Sequence, residues 1–118
     1  MKKIAILSCL DSNRVCTGAA CLQALHQRSH SFARYEGEEL ELVAFMRCNG
    51  CGSDPFSDPG MQEKIERLRS IGTDVVHIGI CTQKKTPGDE ATRTECPTIT
   101  QIAQQLEQYG ITVVRGTH

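Results

Sequence analysis

Four apolar runs of strand length, each separated from the next by enough chain for a helix, constrain this sequence more than any other feature. They are Lys3-Ile4-Ala5-Ile6-Leu7-Ser8, Leu40-Glu41-Leu42-Val43-Ala44-Phe45-Met46-Arg47, Asp74-Val75-Val76-His77-Ile78-Gly79-Ile80 and Ile111-Thr112-Val113-Val114. Strands alternating with helices call for crossover connections and hence a parallel sheet. The expected fold is α/β, a single-domain three-layer sandwich spanning residues 1–118. Its four-stranded parallel sheet takes the order 2-1-3-4, with three crossover helices covering both faces. The second run is almost continuously apolar, which predicts a strand with both faces covered.

Between the runs, Thr17-Gly18 opens a helix expected to reach about residue 32, with Ala20, Ala24, Leu25, Arg28 and Phe32 at helical spacing. Glu36-Gly37-Glu38-Glu39 turns the chain back. The second helix puts Met61, Ile65 and Leu68 on one face and stops at Gly72, and the third starts at Pro97-Thr98 with Ile99, Ile102, Ala103 and Leu106 inward and stops at Gly110. The long connections, Gly50 to Gly60 and Thr82 to Pro97, fall on the carboxyl side of the strands, where open α/β sheets bind ligands. The second carries two lysines and Pro87-Gly88 and is expected to be a loop.

The seven cysteines collect at that same edge. Cys9 closes the first strand, Cys48 and Cys51 follow the second, and Cys81 closes the third. Cys96 precedes the last helix, and Cys16 and Cys21 flank the start of the first. His118 follows the fourth strand. An odd cysteine count in a chain with clear helix and strand periodicity points to metal or redox chemistry in a reducing compartment rather than a secreted disulfide framework. Cys48-Asn49-Gly50-Cys51 spaces two thiols for one metal ion, with Gly50 free to take a positive φ. The same spacing serves a thiol–disulfide or sulfur-handling enzyme using Cys48 and Cys51. Against that second use, Gly52-Ser53-Asp54-Pro55 delays the helix that a redox pair normally opens. The bland alternative is a small-ligand or partner-binding module whose cysteines are merely packed.

The candidate metal ligands are therefore Cys48 and Cys51, then Cys9 and Cys81, with Cys16, Cys21, Cys96 and His118 as alternative or second-centre donors. Zinc suits a tetrahedral set of thiolate and imidazole ligands, and an iron–sulfur cluster is the alternative cofactor. Eight donors exceed one tetrahedron. His77, within a strand, reads as a hydrogen-bonded core histidine, and His26 and His30 as surface residues. Arg14, Arg47, Lys84, Lys85, Arg93 and Arg115 lie near the edge, where cations would stabilise thiolates.

Other functions are disfavoured. Net charge is −1 with acids and bases interspersed, and two Tyr, three Phe and no Trp leave little for base stacking, so no nucleic-acid partner is expected. No apolar stretch approaches membrane-spanning length. Met1-Lys2-Lys3 resembles a signal-peptide start, but Asp11 and Arg14 follow too soon, so the segment reads as the first buried strand of a cytoplasmic protein. No Gly-x-Ser-x-Gly or His-Glu-x-x-His occurs, and Ser8-Cys9-Leu10-Asp11-Ser12 replaces the glycine fingerprint of a Rossmann dinucleotide fold.

The arrangement resembles the CGGC-domain family of anaerobic bacteria and archaea, named for a central Cys-Gly-Gly-Cys. The resemblance runs from Cys9 through Cys16-Thr17-Gly18-Ala19-Ala20-Cys21, Cys48-Asn49-Gly50-Cys51, the strand ending in Cys81 and Glu95-Cys96-Pro97 to Gly116-Thr117-His118. It implies metal binding, zinc being assigned from the cysteine and histidine content, and it brings no reaction with it. This chain departs at Asn49, a residue expected to tolerate a positive φ, and at Thr98, where many relatives would carry a His.

Overall fold

In a computed structural model, which describes residues 1–86 and 88–118, the four apolar runs form one parallel sheet. Pro87 and the side chains of Lys85 and Glu90 lie outside the described residues. The elements are β1 (Lys2–Ser8), α1 (Ala19–Gln27), β2 (Leu40–Arg47), α2 (Pro59–Ser70), β3 (Val75–Ile78), β4 (Gln83–Thr86), β5 (Asp89–Glu95), α3 (Pro97–Gln108) and β6 (Thr112–Arg115). Short 3-10 turns occupy Leu10–Arg14, His30–Tyr35 and Ile80–Thr82. The parallel sheet runs β2-β1-β3-β6, the expected order, with β6 as its fourth strand.

Alternation along β1 sends Ile4 and Ile6 to one face and Ala5 and Leu7 to the other. Met61, Ile65 and Leu68 of α2 and Ile99, Ile102, Ala103 and Leu106 of α3 cover the Ala5 and Leu7 face. Cys21, Ala24 and Leu25 of α1, with Phe32 and Tyr35, cover the other. Fully burying one large aliphatic side chain contributes about 1.5–3 kcal/mol, so the central strand and these helix stripes hold the sandwich together.

Two helix ends follow local chemistry. The Asp58 carboxylate accepts the Gly60 N–H at 2.9 Å as an N-cap, with Pro59 in the first turn of α2. Gly72 and Gly110 close α2 and α3 at φ 75° and 81°.

Three expectations are corrected. The first helix stops at Gln27 rather than near residue 32, because Arg28 and His30 turn left-handed at φ 52° and 51° without a glycine to announce it. Phe32 still reaches the core, through the 3-10 turn. Strand β2 is only half-buried, since it is one of the sheet's two edge strands and pairs on one side. The segment from Thr82 to Pro97 is not a plain loop but contains the antiparallel hairpin β4–β5. Its strands are rich in Gln, Lys, Thr, Arg and Glu, so no apolar alternation marks them. Among the described residues no helix is long and apolar enough to cross a membrane.

Candidate thiol and metal site

Backbone hydrogen bonds extend the parallel ladder past the strand ends and so fix where the cysteines emerge. Cys48 N–H donates to Ser8 O at 3.2 Å, Gly79 N–H to Leu7 O at 2.9 Å, and Gly116 N–H to Ile78 O at 2.8 Å. Cys96 N–H donates to Thr82 O at 2.9 Å, which draws the start of α3 and the hairpin to the same edge. Cysteines distant in sequence therefore share the carboxyl side of the sheet, and all seven are free thiols.

Their sulfurs divide into two groups. In the first, Cys9 Sγ accepts from Lys84 Nζ at 3.0 Å. Burial pushes the Cys9 thiol up, but the Lys84 hydrogen bond, the Ser12 and Asp11 N–H groups and the ammonium charge outweigh it, leaving its pKa below the ordinary value. Cys48 is buried and its sulfur accepts the Leu10 N–H at 3.4 Å. Cys51 is exposed and behaves oppositely. Its thiol donates to Asp11 Oδ2 at 3.2 Å, and that bond, with burial and the carboxylate charge, pushes its pKa up to about 11. Cys96 is buried, and with Cys51, Lys84 and Thr98 it lines a cavity of about 440 Å³.

The second group surrounds Cys21, in the first turn of α1. Its sulfur lies 3.2 Å from Thr117 Oγ1 and 3.5 Å from His118 Nδ1. Burial pushes its pKa up, the Thr117 bond partly offsets this, and the nearby Cys16 and Cys81 charges add to the rise. Cys16, outside the helix, accepts the Gly18 N–H at 3.3 Å. Cys81 Sγ accepts the Cys9 N–H at 3.2 Å and so links the two groups.

Soft thiol donors of the right kind for a metal are thus present, but all except Cys96 are turned to hydrogen-bond partners of their own. Among the described residues no three or more His, Cys, Asp or Glu side chains gather in an arrangement ready to hold a metal ion.

The Cys48–Cys51 loop is braced from α2. Asn49 Nδ2 donates to Asp58 Oδ2 at 2.9 Å, and Asn49 Oδ1 accepts from Lys64 Nζ at 2.6 Å. The positive φ of this loop falls on Gly50, at 113°, as its spacing led one to expect. Thr98 instead donates its hydroxyl to Ser53 O at 3.2 Å. His77 is a fully buried core histidine, and His26 and His30 are exposed, as expected.

Sequence reasoning passed over Asp11 and Thr117 and left Lys84 as one of six cations near the edge. Asp11 stands two residues after a strand-ending cysteine, and Thr117 immediately precedes the terminal histidine. Those positions were the only available signal. Of the other edge cations, Arg47 stacks over Phe45 at 5.5 Å and Arg115 pairs with Glu95 at 3.0 Å, whereas Lys84 meets a sulfur.

A family model described as the CGGC domain matches residues 3–118, a span that includes every cysteine. The chain is 32% identical to an uncharacterized protein of Methanocaldococcus jannaschii, over 98% of this chain and 86% of that one. No solved structure matches it.

Proposed function

The chain belongs to the CGGC-domain family, and on that premise we propose that its thiol-lined sheet edge binds a metal ion, zinc fitting best. Metal binding is the property ascribed to CGGC domains. The observation that carries the finer reading is the collection of all seven free thiols, together with His118, around the carboxyl edge of the one parallel sheet. Cys48 and Cys51 lead as ligands, followed by Cys9 and Cys81, with Cys16, Cys21, Cys96 and His118 as alternative or second-centre donors. A bound zinc would supply a positive charge that keeps thiols deprotonated and ties loops together. Because the sulfurs other than that of Cys96 are engaged elsewhere, binding has to release them from their present partners.

The test is metal content and thermal stability of protein purified without oxygen, before and after treatment with a chelator. About one or more zinc per chain, with a thermal midpoint that falls on chelation, is the expected result. A metal-free protein of unchanged stability would overturn the reading, and visible colour would move the assignment to an iron–sulfur cluster.

A second reading, thiol chemistry without a resident metal, is favoured by one contact, the 3.0 Å hydrogen bond from Lys84 to Cys9. It moves the reactive thiolate from the Cys48–Cys51 pair to Cys9, since the Asp11 carboxylate keeps Cys51 protonated at neutral pH.

A further inference from the structure

His77 sits in β3 with no exposed surface, and metal binding as proposed makes no use of it. Both its ring nitrogens are engaged. Nδ1 lies 2.8 Å from the Gly116 carbonyl oxygen and Nε2 lies 2.7 Å from the Tyr35 hydroxyl. A carbonyl can only accept, so Nδ1 carries the proton and the bare Nε2 accepts from Tyr35. Phe32 stacks on the ring at a centroid distance of 4.3 Å.

Satisfied nitrogens alone would describe any core histidine. His77 is distinguished by the residues next in the chain after its acceptor, Gly116. Thr117 is fully buried, and its hydroxyl lies 3.2 Å from Cys21 Sγ and 3.0 Å from His118 Nδ1. Gly116 is also held by its own N–H, which donates to Ile78 O at 2.8 Å. Its φ of +136° and close approach to Ser31 Oγ leave no room for a Cβ. Here two hydrogen bonds and a buried threonine seat the last three residues as an arm.

We infer that His77 is a positioning residue for the thiol edge: by holding the Gly116 carbonyl it fixes the C-terminal arm so that Thr117 and His118 meet Cys21. The inference rests on the edge being the metal site, for which Cys21 and His118 are candidate donors. It also makes residues 116–118 a part of that site. His77→Leu removes the donor to Gly116, whereas His77→Asn retains an N–H close to the place of Nδ1.

The test reads alkylation of each cysteine by peptide mass spectrometry on reduced, metal-free, folded protein, with exposed Cys51 as internal reference. In His77→Leu, Cys21 labelling relative to Cys51 is expected to rise about tenfold while Cys9, Cys48 and Cys96 stay protected. His77→Asn is expected to restore most of the protection. Gly116→Ala, which displaces the arm without touching the His77 ring, is expected to act like His77→Leu.

Unchanged Cys21 labelling in folded His77→Leu and Gly116→Ala would overturn the inference. So would a parallel rise at all buried cysteines, or loss of folding in both variants, since either makes His77 a core residue and nothing more. Alkylation reports the arm whether or not a metal binds. Cobalt titration of the same variants, followed by absorbance, tests the metal reading separately. If cobalt binds and Cys21 protection does not depend on His77, only the positioning role is lost.

Discussion

Lys84 Nζ donates to Cys9 Sγ across 3.0 Å, joining residues 75 apart in sequence. The hairpin β4–β5 delivers the ammonium, and the end of β1 delivers the sulfur. Lys84 itself is raised in pKa, first by its bond to Cys9. The ammonium is therefore placed to favour the thiolate form of Cys9.

Replacing Lys84 by Met keeps the stem and removes the charge. The Cys9 pKa is then expected to rise, because the Lys84 hydrogen bond and charge favour the thiolate alone. Alkylation of Cys9 followed against pH reads the change as a profile displaced to higher pH. An unmoved profile would mean that Lys84 is not the group that stabilises the thiolate.

Asp11→Asn acts in the opposite direction on Cys51. The carboxylate accepts the thiol proton and opposes a second negative charge, which is why the Cys51 pKa stands at about 11. Removing that charge is expected to bring it back toward the ordinary value and to speed Cys51 alkylation at about pH 8 by roughly tenfold. Cys48, whose sulfur takes a backbone N–H instead, serves as the control. Equal acceleration at both residues would point to a loosened loop.

His77 sets a pH dependence of stability. Burial lowers its pKa first, the Arg34 charge adds to this, and the Gly116 bond offsets only part. Below the ordinary value of 6.5 the unfolded chain therefore takes up a proton that the folded chain refuses. The contribution is fully present above 6.5, is lost as pH falls toward the folded value, and levels off below it. Between pH about 7.5 and about 5.5 the loss is at most about 1.4 kcal/mol, a fall of a few degrees in the thermal midpoint. His77→Asn, which does not titrate, is expected to fall less. Identical slopes for both proteins would place the titration elsewhere.

The sheet order, the buried stripes of α2 and α3 and the carboxyl-edge position of the cysteines were all readable from the chain. Period-two and helical spacings report which face is apolar, and parallel connections force strand ends to one side. The hairpin was not readable, because both of its strands are polar and its pairing has no apolar face to advertise. Nor was the end of α1, where Arg28 and His30 turn left-handed with no glycine or proline as signal. Gly50 carries the turn of the Cys48–Cys51 loop, as its position suggested, whereas the bracing of α2 by the Asn49 amide had no signal in the chain.

By itself, then, the sequence determined the layered α/β fold, its family and the edge where the thiols gather, since all three depend on patterns local to each segment. Only the tertiary structure decided which partner each thiol meets. Lys84 for Cys9, Asp11 for Cys51, and Thr117 with His118 for Cys21 are contacts made across the fold. Charge and hydrogen bonding act over a few ångströms of space, and spacing along the chain carries no record of which distant residue will stand at that distance.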